Sequence, residues 1–267
     1  MLRNLLLYFY LLGLLQSIFS QDLENKNSSI RLSSGIDSYS SADRLLNYYS
    51  YNGILVPVKL TVTHRKNNIT YGLNTDLTRG ELKLEKADAL YYEYNYIKHQ
   101  QYNLSLFYHR ELFNWHEKFI FQAGLSSDLN FIFQQENFKT LLYDYGNGYR
   151  SSYSISALTL SPSTTIYYRI SHKQILTTGS SISLLSYNSR PTDDYVKQFH
   201  IEETGSVWRL YGGKKYIAVN FNACYNYRIV QNLDIVLEYN FNYKKYSISD
   251  ECKYQQNMFL IGLEMHF

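Results

Sequence analysis

From Phe259 to Phe267 every second residue is large and apolar: Phe259, Ile261, Leu263, Met265 and Phe267. Leu260, Gly262, Glu264 and His266 stand between them. A β-strand sends alternate side chains to opposite faces, so this segment has one oily face and one mixed face. An oily strand left on the edge of a soluble sheet invites aggregation. In lipid the same strand is what a closed barrel needs, because every backbone polar group must there be satisfied within the protein.

The rest of the chain repeats the pattern. The clearest case is Leu233–Tyr243, where Leu233, Ile235, Leu237, Tyr239, Phe241 and Tyr243 share one face and Asp234, Val236, Glu238, Asn240 and Asn242 the other. Ile217–Tyr227 behaves alike, with Asn220, Asn222, Cys224 and Asn226 on its polar face. Further strands are expected around 58–63, 69–77, 90–96, 102–109, 119–133, 153–160, 165–173 and 180–186, with a weaker one across 197–210. The reading is an all-β, antiparallel, up-and-down transmembrane barrel of about twelve strands, with ten as the alternative. Outer loops are expected at 134–150 and 247–256.

Composition agrees. The 267 residues include 29 Tyr, and mean hydropathy is −0.35. No stretch after residue 20 reaches the roughly 18–20 apolar residues of a spanning helix. A barrel shows lipid only half of each strand, so its mean hydropathy stays low. Tyrosine suits the membrane–water boundary. A net charge of +3 is too small to imply a nucleic-acid partner.

Arg3, the apolar run Leu5–Leu15 and the small Ser20 form the pattern of an export signal, with cleavage expected after Ser20. The expected organisation is a signal peptide at 1–20, a polar tail at 21–50 with at most a short strand near Ile30–Ile36, and a barrel at 51–267. An even strand count puts both termini in the periplasm. The two cysteines, Cys224 and Cys252, are expected inside the barrel and in a loop, and a bridge between them is the less favoured reading.

The C-terminal pattern resembles that of substrates of the outer-membrane barrel-assembly machinery, whose last residue is commonly Phe with apolar residues alternating back from it. Here Phe259, Ile261, Leu263, Met265 and Phe267 supply it. The resemblance implies assembly by that machinery. More loosely, the segments 35–53, 122–133 and 184–199 resemble uncharacterised small outer-membrane barrels of Bacteroidetes type. Those carry no assigned activity and so supply no functional residues.

The inward faces are expected to carry a network of Lys59, Asp76, Glu93, His109, Glu111, Asp128, Arg169, Asp234, Glu238, Lys244 and Glu264, joined by His266. Buried charges need partners. The favoured role is a mostly plugged structural or binding barrel; the alternative is a narrow pore weakly favouring cations, since acids outnumber the fixed cations. A lipid-active hydrolase would place Ser two residues after His on one strand face. The positions two after His64, His99, His109, His116, His172 and His200 hold Lys66, Gln101, Glu111, Lys118, Gln174 and Glu202. No enzyme is therefore expected, although a triad dispersed over several strands stays open. His109 and Glu111 are spaced for two metal ligands but read better as an interior couple; no metal or cofactor is expected. Expected partners are outer-membrane lipid, the assembly machinery and a surface or periplasmic protein, with the chain monomeric.

Overall fold

A computed structural model describes residues 27–43, 50–84, 92–140, 149–183, 185–190, 207–212, 215–247 and 251–267. The expected signal peptide lies outside the described residues. Twelve strands form one antiparallel sheet: β1 (Ser28–Asp43), β2 (Ser50–Lys66), β3 (Ile69–Leu84), β4 (Tyr92–Trp115), β5 (Phe119–Thr140), β6 (Tyr149–Ser171), β7 (Gln174–Ser183), β8 (Leu185–Arg190), β9 (Val207–Gly212), β10 (Tyr216–Val230), β11 (Leu233–Ser247) and β12 (Glu251–His266). Ten of them close a ring, in which β7 pairs with β10 and β12 returns to β1. The other two, β8 and β9, stand outside the ring and pair in the order β6–β8–β9. Only Leu184 separates β7 from β8, and residues 213–215 separate β9 from β10, so the short pair prolongs that hairpin beyond the ring.

The described turns 67–68, 116–118, 172–173 and 231–232 all lie at the end of the barrel that holds Ser28 and Phe267. There Asn67 takes a φ of 55°, a left-handed conformation that Asn tolerates better than most residues. The connections at the opposite end fall largely outside the described residues.

The polar stretch read as a tail is a full strand. β1 runs in register with β12 from Ser29↔His266 to Asp43↔Cys252, and with β2 on its other side. Its outward positions include Ser34, Ser38 and Ser40, and this hides the two-residue rhythm. The segments 153–160 and 165–173 are likewise one strand, β6. Pro162 sits where β6 changes partner: β7 pairs up to Ser163↔Ser181 and β8 takes over at Leu160↔Leu185. Three steps along β6 there face four along the other side, a bulge that accommodates a residue without an N–H. The expected outer loops shorten. β5 reaches Thr140 and β6 starts at Tyr149, while only 248–250 separate β11 from β12; the remainder of both lies outside the described residues. Of the weak strand across 197–210, only the part from Val207 onward is described, as β9.

Outward faces carry an exposed apolar belt, with Leu106, Leu125, Leu158, Leu237, Ile261 and Leu263 all exposed. Soluble monomers rarely expose apolar surface on that scale, whereas a lipid-facing barrel requires it. Toward the turn end it passes into aromatic residues, among them Tyr108, Trp115, Tyr168 and Tyr227. That is the place where aromatic girdles meet the lipid boundary. On β11 the alternation is clean: Leu237 is 51% exposed and Val236 0%.

Leu237→Lys should therefore cost about 2–4 kcal/mol and lower the yield of assembled protein. Asn74→Lys, on a lumen-facing position beside Asp76, should cost far less. Unfolding in lipid vesicles measures both, and equal losses would refute the facing assigned to these strands.

Candidate functional site

Ten strands make a cylinder slightly wider than the eight-stranded kind that side chains just fill. What occupies the interior therefore depends on the size of the inward residues, and the two ends differ. At the loop end the inward residues are large. Tyr39, Tyr51, Leu55, Leu82, Ile97, Ile132, Ile155, Tyr216, Tyr246 and Tyr254 form one buried cluster drawn from nine of the ten ring strands. Tyrosine rings on four neighbouring strands touch in succession, Tyr39 with Tyr254 at 6.5 Å, Tyr254 with Tyr246 at 6.2 Å and Tyr246 with Tyr216 at 5.0 Å between centroids, and Tyr39 also meets the His99 ring of β4 at 4.4 Å.

Toward the turn end many of the inward residues are Ser, Thr and Asn, set among charged groups, and they leave a cavity of about 730 Å³. Its lining runs from Tyr216, Ala218 and Met258, against the cluster, to Asn67, Asn114, Arg169, Arg228 and His266 at the rim. The cavity thus opens where the turns are and ends blindly on the cluster.

A charge network crosses its wall. Arg31 on β1 pairs with Glu264 on β12 at 2.6 Å and lies 3.7 Å from Glu238 on β11. Lys59 on β2 reaches across to Glu238. Glu264 also accepts from Ser29 Oγ and Asn226 Nδ2, each at 2.6 Å. Arg31 Nη1 donates to Cys224 Sγ at 3.0 Å. Nearer the rim, Glu111 is bound by Arg65 at 2.8 Å, and Asp234 by Arg228 at 3.2 Å and His266 at 2.9 Å. Deeper, Asp76 accepts from Asn103 at 3.1 Å and Asp128 from Thr159 at 3.4 Å. Lys244 lies in electrostatic reach of both aspartates.

Of the residues singled out in the sequence, Lys59, Asp76, His109, Glu111, Asp128, Asp234, Glu238, Lys244 and Glu264 all line the lumen or bond to residues that do. Arg169 stands at the rim, half exposed, 3.6 Å from Glu117. The side chain of Glu93 lies outside the described residues. Phe259, Ile261, Leu263 and Met265 are exposed on the outer face of β12, a strand paired on both sides. His109 and Glu111 do not converge: the imidazole turns to Ser163 and Thr165, the carboxylate to Arg65 and Asn114. Cys224 is free. It pairs in register with Glu238 and Cys252 with Tyr246, eight residues apart along β11, or roughly 27 Å at the rise of a strand.

The sequence reading missed Arg31, Arg65 and Arg228. Arg31 lay in the supposed tail, and the other two at strand ends. Parity would have found Arg31, which shares a face with Ser29 and Ser33 and alternates with Ile30 and Leu32. These cations remove most of the acid excess that suggested a cation-favouring pore.

No protein-family model matches the chain, and no curated protein matches it. Solved structures do match in shape. The outer-membrane protease OmpT of Escherichia coli aligns with a TM-score of 0.55 at 11% identity, over 90% of this chain and 97% of that one. Neisserial surface protein A aligns at 0.35 and 12% identity, over 89% and 97%. The attachment invasion locus protein Ail of Yersinia pestis aligns at 0.33 and 10% identity, over 90% and 99%. The fold is the closed antiparallel barrel of bacterial outer-membrane proteins, and the exposed apolar belt suits it to lipid.

Replacing Arg31 with Met strands Glu264 in a low-dielectric wall. Breaking a buried pair in this way costs about 3–5 kcal/mol. Urea unfolding in detergent should register that loss, and adding Glu264→Gln should recover much of it.

Proposed function

We propose that this protein is a plugged outer-membrane barrel whose lumen receives a small polar solute from the turn end rather than conducting it across. The observation that carries the reading is the buried tyrosine and aliphatic cluster spanning the interior at the loop end. Conduction needs a continuous wet path, and a packed layer of buried side chains, its few polar members bonded to one another, interrupts one. The cavity below the cluster is walled mainly by neutral polar groups and by charges of both signs, several of them in ion pairs and the rest (Asp76, Asp128 and Lys244) mutually close. That favours uncharged or zwitterionic solutes over free ions.

The turns and both described chain ends share one side, which we assign to the periplasm; the longer connections then face outward. On this assignment the solute arrives from within the cell envelope. Phe259, Ile261, Leu263, Met265 and Phe267 serve as the strand signal read by the assembly machinery. The protein works as a monomer, since all ten ring strands come from one chain. A surface or periplasmic protein partner would dock on the loops or the turn rim.

In planar bilayers the purified protein should give no single-channel steps, whereas a Tyr39→Ala, Tyr216→Ala, Tyr246→Ala variant should conduct. Regular steps from the unaltered protein would instead establish the narrow pore. An epitope inserted after Gly146 should be detected on intact cells, and one inserted after Glu117 only after the outer membrane is permeabilised. The reverse pattern would invert the orientation.

A further inference from the structure

One pair of groups in the cavity wall is used neither by the plug nor by the ion pairs. His109 on β4 and Ser163 on β6 do not belong to neighbouring strands; β5 lies between them. The register aligns His109 with Gly124 and Gly124 with Ser163, so the three stand in one row across the wall. Because the middle position has no side chain, the imidazole lies across β5 and reaches the serine, with Nε2 2.7 Å from Ser163 Oγ. A Cβ on Gly124 would fall 1.8 Å from the Tyr108 carbonyl oxygen and 2.8 Å from the His109 Cα. On the far side of the ring, Nδ1 lies 3.3 Å from Thr165 Oγ1. His109, Ser163 and Thr165 all line the cavity.

We propose that Ser163 is a nucleophile activated by His109, that Thr165 is a positioning residue, and that the cavity hydrolyses small polar carboxylic esters. With the ring proton on Nδ1 donated to Thr165, Nε2 accepts the hydroxyl proton of Ser163. Ser163 Oγ attacks the ester carbonyl carbon and its proton passes to Nε2. The bond from that carbon to the alkoxy oxygen breaks, and the proton on Nε2 goes to the departing alkoxide, releasing the alcohol. Water then attacks the acyl-serine, giving its proton to His109. The bond to Ser163 Oγ breaks, the carboxylic acid leaves, and the proton returns to the serine. The neutral polar lining suits a polar acyl or alcohol group, and the mouth at the turn end admits substrate without passage through lipid.

The test uses the full chain folded in detergent micelles, its folding verified by the mobility difference between unboiled and boiled samples. A fluorophosphonate probe should label Ser163 in the folded protein and not in the boiled one, as read by mass spectrometry of peptides. His109→Gln should slow labelling at least tenfold with unchanged mobility, and Ser163→Ala should abolish it. Thr165→Val should slow labelling, with the rate restored by Thr165→Ser, a recovery that a purely structural role would not produce. Turnover of p-nitrophenyl acetate should follow the same order. Absence of Ser163 labelling in the folded wild-type chain overturns the proposal. So does labelling spread evenly over other serines, or an undiminished rate in a folded His109→Gln variant. The comparison of folded with boiled wild type decides the matter even where a variant fails to assemble.

Discussion

The structure depends on the seam between β1 and β12. In hydrocarbon, an unpaired backbone edge costs several kcal/mol for each group exposed, so a sheet becomes admissible only when its first and last strands meet. Here they meet over their whole lengths, from Ser29↔His266 to Asp43↔Cys252. The side chains support the same seam from within. Arg31 of the first strand is held by Glu264 of the last, and Lys59 reaches Glu238 one strand further round. Charges that would be a liability in an open sheet become cross-links in a closed one.

The interior is graded by side-chain size. Tyrosine, leucine and isoleucine fill one end, with Asp37, His99, Gln101, Gln134 and Gln256 buried and hydrogen-bonded among them. Serine, threonine, asparagine and glycine leave the other end hollow. Glycine has a second use where a neighbour comes close: a Cβ on Gly124 would collide with the backbone of Tyr108 and His109, and one on Gly72 would stand 2.6 Å from the Phe107 ring.

What the sequence made legible follows from where the environment is two-sided. β11 and β12 separate lipid from lumen along most of their length, so their apolar and polar positions alternate with few exceptions. β1 does not, because Ser34, Ser38 and Ser40 face outward, and a strand with polar residues on both faces reads as a tail. β6 was divided by Pro162, a residue that marks a break when only the sequence is in hand and a change of partner once the neighbours are known. The inward charges could be picked by parity within each strand. Their pairing could not, because Arg31 and Glu264 are separated by nearly the whole chain. The row from His109 through Gly124 to Ser163 was out of reach for a related reason: a search along one strand compares positions two apart, and these residues lie on three strands.

The seam also has a consequence for the order of folding. Hairpins such as β10–β11 join residues close in sequence, whereas β1 and β12 must wait until the entire polypeptide has been made and threaded into place. Contacts of such long separation are slow to form, since the loop they close carries the full entropic penalty at once. Until that moment Arg31 and Glu264 each lack the other, and the nascent sheet holds stranded charges beside lipid. The Arg31–Glu264 contact is thus a contribution that only the closed ring realises.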